Sequence, residues 1–334
     1  MTALGRKRRK PSGLEAAAIL VAAAVRAGAA FLPGAGLADS AQAGTLQCGP
    51  PAVVSEVAPG VFVRQGAVAM PDGDNRGAIA NIGFVIGAEG VAVIDTGGSY
   101  CDGMGLKAAI RARTALPVTY VINTHVHPDH IFGNAAFAGE GVSFVAHRNL
   151  PRALGERGEH GLQSYAEQVG PEAMQGTKII PPTELVTDTL RLDLGGRALV
   201  LIARPAAHTD ADLTVFDEAT ATLWTGDLIF LDHIPVLDGS LKGWLALTAA
   251  LMQQPAARIV PGHGPPSAPW PEAGEKQLRY LQRLAEDLRG AIRAGKSISE
   301  AAAVCGTGEK DGWQLFGAYN SRNALTGFAE LEWD

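Results

Sequence analysis

The chain has 334 residues, 47% of them hydrophobic, a size at which roughly 75% of the unfolded surface is buried on folding. Its 28 Lys and Arg against 34 Asp and Glu give a net charge of -6, and a basic cluster, Arg6 to Lys10, sits at the very start. The remainder is more acidic still, which excludes a nucleic-acid surface, because such a surface needs a basic stripe to displace condensed counterions.

Residues 1–43 read as an export signal. The basic start precedes an apolar stretch over 16–25, and Ala41-Gln42-Ala43 supplies the small residues of a cleavage site before Gly44. No uncharged apolar run reaches the ~18 residues that a membrane span requires, so the expectation is a periplasmic or secreted protein with no stable span after cleavage. Three cysteines, Cys48, Cys101 and Cys305, allow at most one internal disulfide and leave their pairing open.

From Val53 onward the pattern turns to short β-rich runs at 61–64, 79–86 and 91–94, separated by glycine-rich turns. The polar stretch 70–77 reads as a loop between the first two. Ile94-Asp95-Thr96-Gly97-Gly98 closes the third strand and leads into a helix over 102–114. A strand at 118–123 runs into Thr124-His125-Val126-His127-Pro128-Asp129-His130, after which Ile131-Phe132-Gly133-Asn134 reads as the opening of another helix. Residues 142–147 read as a strand. Residues 148–170 read as polar helix broken by Gly155, Gly158 and Gly161, and the segment 148–178 as a helical insertion beside the site. A second set of strands follows at 189–194, 198–203, 213–216, 222–224 and 258–260, with helices over 241–252 and 271–294. The two strand-rich halves hint at a duplicated layout.

Four stretches share one form, a strand followed by His or Asp in a turn rich in Gly, Pro or Thr. They carry His125, His127, Asp129 and His130, then His208, then Asp227, then His263. Imidazole nitrogen and carboxylate oxygen suit a borderline-soft divalent ion such as zinc. Residues two apart on an extended segment face the same way, so His125 and His127 can grip one ion, while Pro128 turns Asp129 and His130 toward a second position. Seven donors exceed one tetrahedral zinc and suit two metals that share a carboxylate. His233, close after Asp227, is a candidate pocket residue. His147 and His160 read as ordinary surface or strand-end residues.

The motif Thr-His-x-His-x-Asp-His, a later lone His, an Asp in Gly226-Asp227 and a His in Pro261-Gly262-His263-Gly264 together resemble the metallo-β-lactamase superfamily. The resemblance implies an α/β fold, a four-layer αββα sandwich built from two strand-rich halves, with residues 44–334 as one hydrolase domain. It assigns His125, His127 and His208 to a first Zn2+, Asp129, His130 and His263 to a second, and Asp227 to the bridge. Asp95 matches the family's aspartate that orients the ligands from behind. The implied chemistry is hydrolysis of an ester, thioester, lactone or similar bond in a small-molecule substrate by a metal-bridging hydroxide. Asp129 would orient the attacking water, and Asp129 and Asp227 are the catalytic candidates.

The stretches 95–98, 131–134, 238–244 and 330–334 are similar to exported zinc metallohydrolases of quinoprotein relay systems, related to SoxH proteins of sulfur oxidation. The resemblance implies a link to pyrroloquinoline-quinone dehydrogenases or sulfur-oxidation systems as context, and leaves the protein partners open. Two other classes stay open: an iron persulfide dioxygenase, which would use only His125, His208 and Asp227, and a non-catalytic periplasmic metal-binding protein.

Overall fold

The computed structural model describes residues 46–139 and 141–333, so the expected export segment 1–43 lies outside the described residues. Among those described, no helix is long and apolar enough to cross a membrane.

One sheet is built from β1 (Ser55–Ala58), β2 (Val61–Arg64), β3 (Ile82–Ile86), β4 (Val91–Ile94), β5 (Val118–Asn123), β6 (Ser143–His147) and β7 (Glu184–Val186), side by side in chain order. Pairing is antiparallel from β1 to β4 and parallel from β4 to β7. Parallel neighbours need crossovers, and α1 (Tyr100–Arg111) makes the one from β4 to β5. The short α2 (Pro128–Ile131) follows β5, and α3 (Leu150–Val169) follows β6.

The second sheet holds β8 (Thr189–Asp193), β9 (Ala198–Ala203), β10 (Leu213–Asp217), β11 (Thr222–Phe230), β12 (Arg258–His263) and β13 (Ala268–Pro269), again in chain order. Only β11 and β12 pair in parallel, with α4 (Leu241–Leu251) between them. Three more helices, α5 (Glu275–Arg293), α6 (Ile298–Val304) and α7 (Phe316–Leu331), complete the described chain.

Side-chain alternation along the strands generates the layers. On β4, Ala92 and Ile94 pack into a core shared with Leu199, Leu201 and Val215 of the second sheet, while Val91 and Val93 face Leu106 and Ile110 of α1. The same alternation recurs on β11 and β12. Trp224 and Val260 enter the core between the sheets, whereas Leu223 and Ile259 join Trp244, Tyr280 and Leu284 of the helices outside. A strand buried on both faces reads as a continuous apolar run, as Val91–Ile94 does. The result is the αββα sandwich expected from the sequence.

Four local readings change. Ile131 does not open a long helix: α2 has four residues and a single 3-10 turn follows at Asn134–Ala136, with Gly133 between them at a close approach where a Cβ would lie 2.0 Å from the Thr96 carbonyl oxygen. The three glycines do not break α3, a continuous helix of 20 residues held by Leu150, Leu154, Tyr165 and Val169 in one apolar cluster. β11 and β12 run on through Gly226-Asp227 and Pro261-Gly262-His263, so both donors stand within strands rather than in turns after them. Helices α6 and α7 were not read from the sequence.

Cys48 and Cys101 form a disulfide across 53 positions, fixing the start of the described chain to α1, and Cys305 is free and buried. Loop-closure entropy for a span of that length predicts that Cys101→Ser lowers unfolding free energy by about 2–4 kcal/mol. Denaturant unfolding of the oxidised protein beside the variant measures this, and equal midpoints would contradict it.

Candidate metal centre

The sequence-read donors gather at one end of the two sheets, where β5, β11 and β12 deliver them. His127 keeps extended backbone (φ -68°, ψ 148°), and Pro128 then starts α2, which carries Asp129 and His130 inward. His208 comes from the loop between β9 and β10. Two glycines permit the convergence. A Cβ on Gly262 would lie 1.9 Å from Asp227 Oδ1, and Gly226, at φ 49°, would drive one into the Thr124 side chain.

Two groups of donor atoms result, His125, His127, His208 and Asp227 in one, Asp129, His130 and His263 in the other. In the first, His127 Nδ1 lies 3.2 Å from His125 Nε2 and 2.9 Å from His208 Nε2. Asp227 Oδ2 is 3.6 Å from His125 Nε2, 3.4 Å from His208 Nε2 and 3.4 Å from His263 Nε2, while its Oδ1 is 3.1 Å from His130 Nε2. Asp129 Oδ2 stands 3.3 Å from His263 Nε2 and 3.7 Å from His130 Nε2. Asp227 therefore faces both groups.

The outward nitrogen of every imidazole is tied to an oxygen. His208 Nδ1 donates to the Val236 carbonyl (2.6 Å) and His263 Nδ1 to that of Ile79 (3.1 Å). His130 Nδ1 meets Asp95 Oδ2 at 2.7 Å, and His127 Nε2 meets Asp238 Oδ2 at 3.1 Å. Thr124 Oγ1 gives its proton to Asp95 Oδ2 (2.7 Å), so at 3.0 Å from His125 Nδ1 it acts as an acceptor. These five bonds place a proton on each outer nitrogen, that on His125 Nδ1 being accepted by Thr124 Oγ1, and leave the inner nitrogen of each neutral ring free to face a cation at the centre. Lone pairs at 2.9 and 3.2 Å repel one another, and His130 Nε2 and Asp227 Oδ1 are buried without a hydrogen-bond partner. Cations at the centre would relieve both conditions, so the residues present fit a metal pair.

Electrostatics divides the groups. Burial pushes His125 well below the usual imidazole value, reinforced by neighbouring imidazoles, and it takes His208 down to about 3. Burial also opposes charge on His130 and His263, yet Asp227 leads the carboxylates that hold His130 well above the usual value and His263 at about 9. Asp129 and Asp227 are likewise penalised by burial, but the facing imidazoles keep Asp227 well below the carboxylate range and Asp129 at about 2. Positive charge is thus favoured where the second donor group converges.

Asp95 also receives the Thr124 backbone N–H at 2.8 Å, which couples the end of β5 to the loop after β4. Asn134 ties the same region together, its amide bonding to Asn123 (2.8 Å) while its carbonyl accepts from Thr96 Oγ1 (2.8 Å).

A cavity of about 200 Å³ opens over the donors, with Pro71, Tyr165, Tyr319 and Arg322 on its walls. Loop 70–77 and α3 both reach it, joined where Tyr165 Oη donates to the Gly77 carbonyl at 3.2 Å. His233 lines it too, buried, with its ring 5.1 Å from that of His263 and 5.2 Å from Tyr319. Burial lowers the His233 pKa to about 4. His147 stays outside the donor groups, its Nδ1 accepting from the Asn149 N–H, while His160 lines a neighbouring cavity. Sequence reasoning missed Asp238, Tyr165, Tyr319 and Arg322. Asp238 had one available signal, its place just before Gly239-Ser240 at the start of α4; the others come from helices whose docking no short motif encodes.

The profile of the Metallo-beta-lactamase superfamily matches residues 75–263, more than half of the chain. Metallo-beta-lactamase domain-containing protein 1 of Homo sapiens is 27% identical over 208 residues, which cover 57% of this chain and 64% of that protein, just under two thirds of its length. Among solved structures, the stereoselective inverting sec-alkylsulfatase Pisa1 from Pseudomonas sp. matches with a TM-score of 0.64 at 16% identity, over 84% of this chain and 50% of that one. The metallo-beta-lactamase FIM-1 from Pseudomonas aeruginosa, in a mono-zinc form, matches with a TM-score of 0.54 at 18% identity, over 71% of this chain and 98% of that one. The structural likenesses establish the fold alone, an α/β sandwich. The chain belongs to the metallo-β-lactamase superfamily.

Proposed function

We propose that the chain is an exported hydrolase that holds two zinc ions and cleaves an ester, thioester, lactone or similar bond in a small molecule. The observation that carries this is the set of five imidazoles, each with an outward contact to an oxygen, gathered with the buried Asp129 and Asp227 into two donor groups. Nitrogen-rich donors of this kind suit zinc, the metal in the FIM-1 structure. The Cys48–Cys101 disulfide supports an oxidising compartment outside the cytoplasm.

His125, His127 and His208 would hold the first metal, Asp129, His130 and His263 the second, and Asp227 both. When bound, the pair supplies a water of lowered pKa and polarises the scissile carbonyl. Asp129, beside the cavity and facing His263, accepts a hydrogen bond from the attacking water and orients it. Asp95 and Asp238 keep His130 and His127 in the tautomers the metals need. Phe230, stacked on His263 with centroids 5.1 Å apart, closes the apolar side of the site and excludes bulk water.

Two of the stretches similar to the quinoprotein-relay hydrolases, 238–244 and 330–334, touch each other. Glu330 accepts from Ser240 Oγ and the Leu241 N–H, each at 2.6 Å, and so caps α4 next to Asp238. The one-iron reading would leave the donor group of Asp129, His130 and His263 without a role.

Turnover of a panel of thioesters, esters, lactones, β-lactams and phosphodiesters tests the proposal. The expected result is hydrolysis of a carbonyl ester or thioester that a chelator abolishes and zinc restores. Tight metal retention with no turnover, or oxygen uptake with one iron, would overturn it.

A further inference from the structure

A second cavity, of about 250 Å³, lies against the first, and His127, Pro128 and Arg322 line both. With the site cavity it reaches the ~300–1,000 Å³ typical of small-molecule sites. Its walls are largely apolar, from Val126, Ile131 and Phe132 after β5 to Leu154 on α3. Gly158 and Gly161 face it from α3, and a Cβ at Gly161 would meet nothing within 4 Å. A glycine inside a helix is less favourable than alanine, and here it leaves open space.

The mouth has the opposite character. Arg157 and Arg322 both line it, and Asp238 is the one carboxylate among its lining residues. That carboxylate is shared: Arg157 reaches it at 2.6 Å, His127 at 3.1 Å and Arg322 at 3.7 Å. The Arg157 and Arg322 side chains stay 58% and 57% exposed, so two cations against one anion leave a net positive charge and free N–H donors at the junction of the cavities.

We propose that the substrate is an amphiphilic anion, whose alkyl or aryl part fills the space beside Gly161 and whose carboxylate or similar group is met by Arg322 at the junction with the metal cavity. The proposal deepens, and rests on, the reading of that cavity as a hydrolase site. Each methylene taken out of water adds to binding, so the side cavity selects for chain length, and Arg322 selects for charge.

Calorimetric binding of octanoate, octanol and acetate to the zinc-loaded full chain tests this without relying on turnover. Octanoate is expected to bind at least tenfold more tightly than either of the others. Gly161→Phe, which fills the side cavity from a position with open space, and Arg322→Ala, a change at an exposed side chain, are each expected to weaken octanoate at least tenfold with the zinc content unchanged. Equal affinity for octanoate and octanol, or for octanoate and acetate, would overturn the proposal. Undiminished binding by Arg322→Ala would overturn it as well, since the carboxylate would then sit on the metals. Octanoate binding as expected, with no ester turned over, would keep the site for an amphiphilic anion but sink the hydrolase reading, and with it the claim that the anion is a substrate.

Discussion

Asp227→Ala is expected to abolish metal retention, and with it the proposed hydrolysis. The carboxylate faces both donor groups, with Oδ2 at 3.4 Å from His208 Nε2 and 3.4 Å from His263 Nε2, and Oδ1 at 3.1 Å from His130 Nε2. No other described carboxylate reaches both, so its loss separates the two positions and removes the counter-charge that raises His130 and His263. Metal affinity should fall by more than the ~10–100-fold that loss of an outer hydrogen-bond partner costs. His127→Ala should lose the metal of the first group in the same way. Metal content after dialysis, read beside the rate on the best substrate of the panel, measures both, and full activity in metal-free protein would refute the assignment.

Asp95→Ala acts through structure as well as metal. Its carboxylate is buried, accepts from Thr124 N, Thr124 Oγ1 and His130 Nδ1, and stands on backbone at φ 53° that favours Asp, Asn or Gly over other residues. Alanine leaves those buried donors unpaired and strains the turn, which should lower stability by about 3 kcal/mol and metal affinity by roughly 10–100-fold. Asp95→Asn keeps the backbone preference and one acceptor oxygen, so its stability should lie between the two. Denaturant unfolding of the metal-free proteins isolates the structural part. Equal midpoints for wild type and alanine would show that Asp95 holds nothing in place.

Much of this architecture is legible in the chain because its signals are local. Val91–Ile94 and Val118–Asn123 are short apolar runs that end where the chemistry begins, and Pro128 announces the turn that parts His127 from Asp129 and His130. Asp227 and His263 were harder to place. Gly226 and Gly262 read as turn residues, whereas they serve close approach between two parallel strands, a tertiary requirement with the same local signature. The glycines of α3 mislead similarly, since packing of Leu150, Leu154 and Tyr165 carries the helix past them. Arg322 was invisible as a site residue because it reaches the cavity from α7 through helix docking that no spacing rule encodes, and Asp238, 111 positions from His127, offered only its place before Gly239-Ser240. The Cys48–Cys101 bond belongs with them, as three cysteines leave the pairing open until the fold brings two together.

The number of zinc ions bound per chain tests the central claim most directly. Native mass spectrometry of the zinc-loaded, chelator-washed protein should show two per chain, falling to one or none in His127→Ala and Asp227→Ala. A single tightly bound ion in the wild type, unaffected by loss of His263, would contradict the two-metal centre.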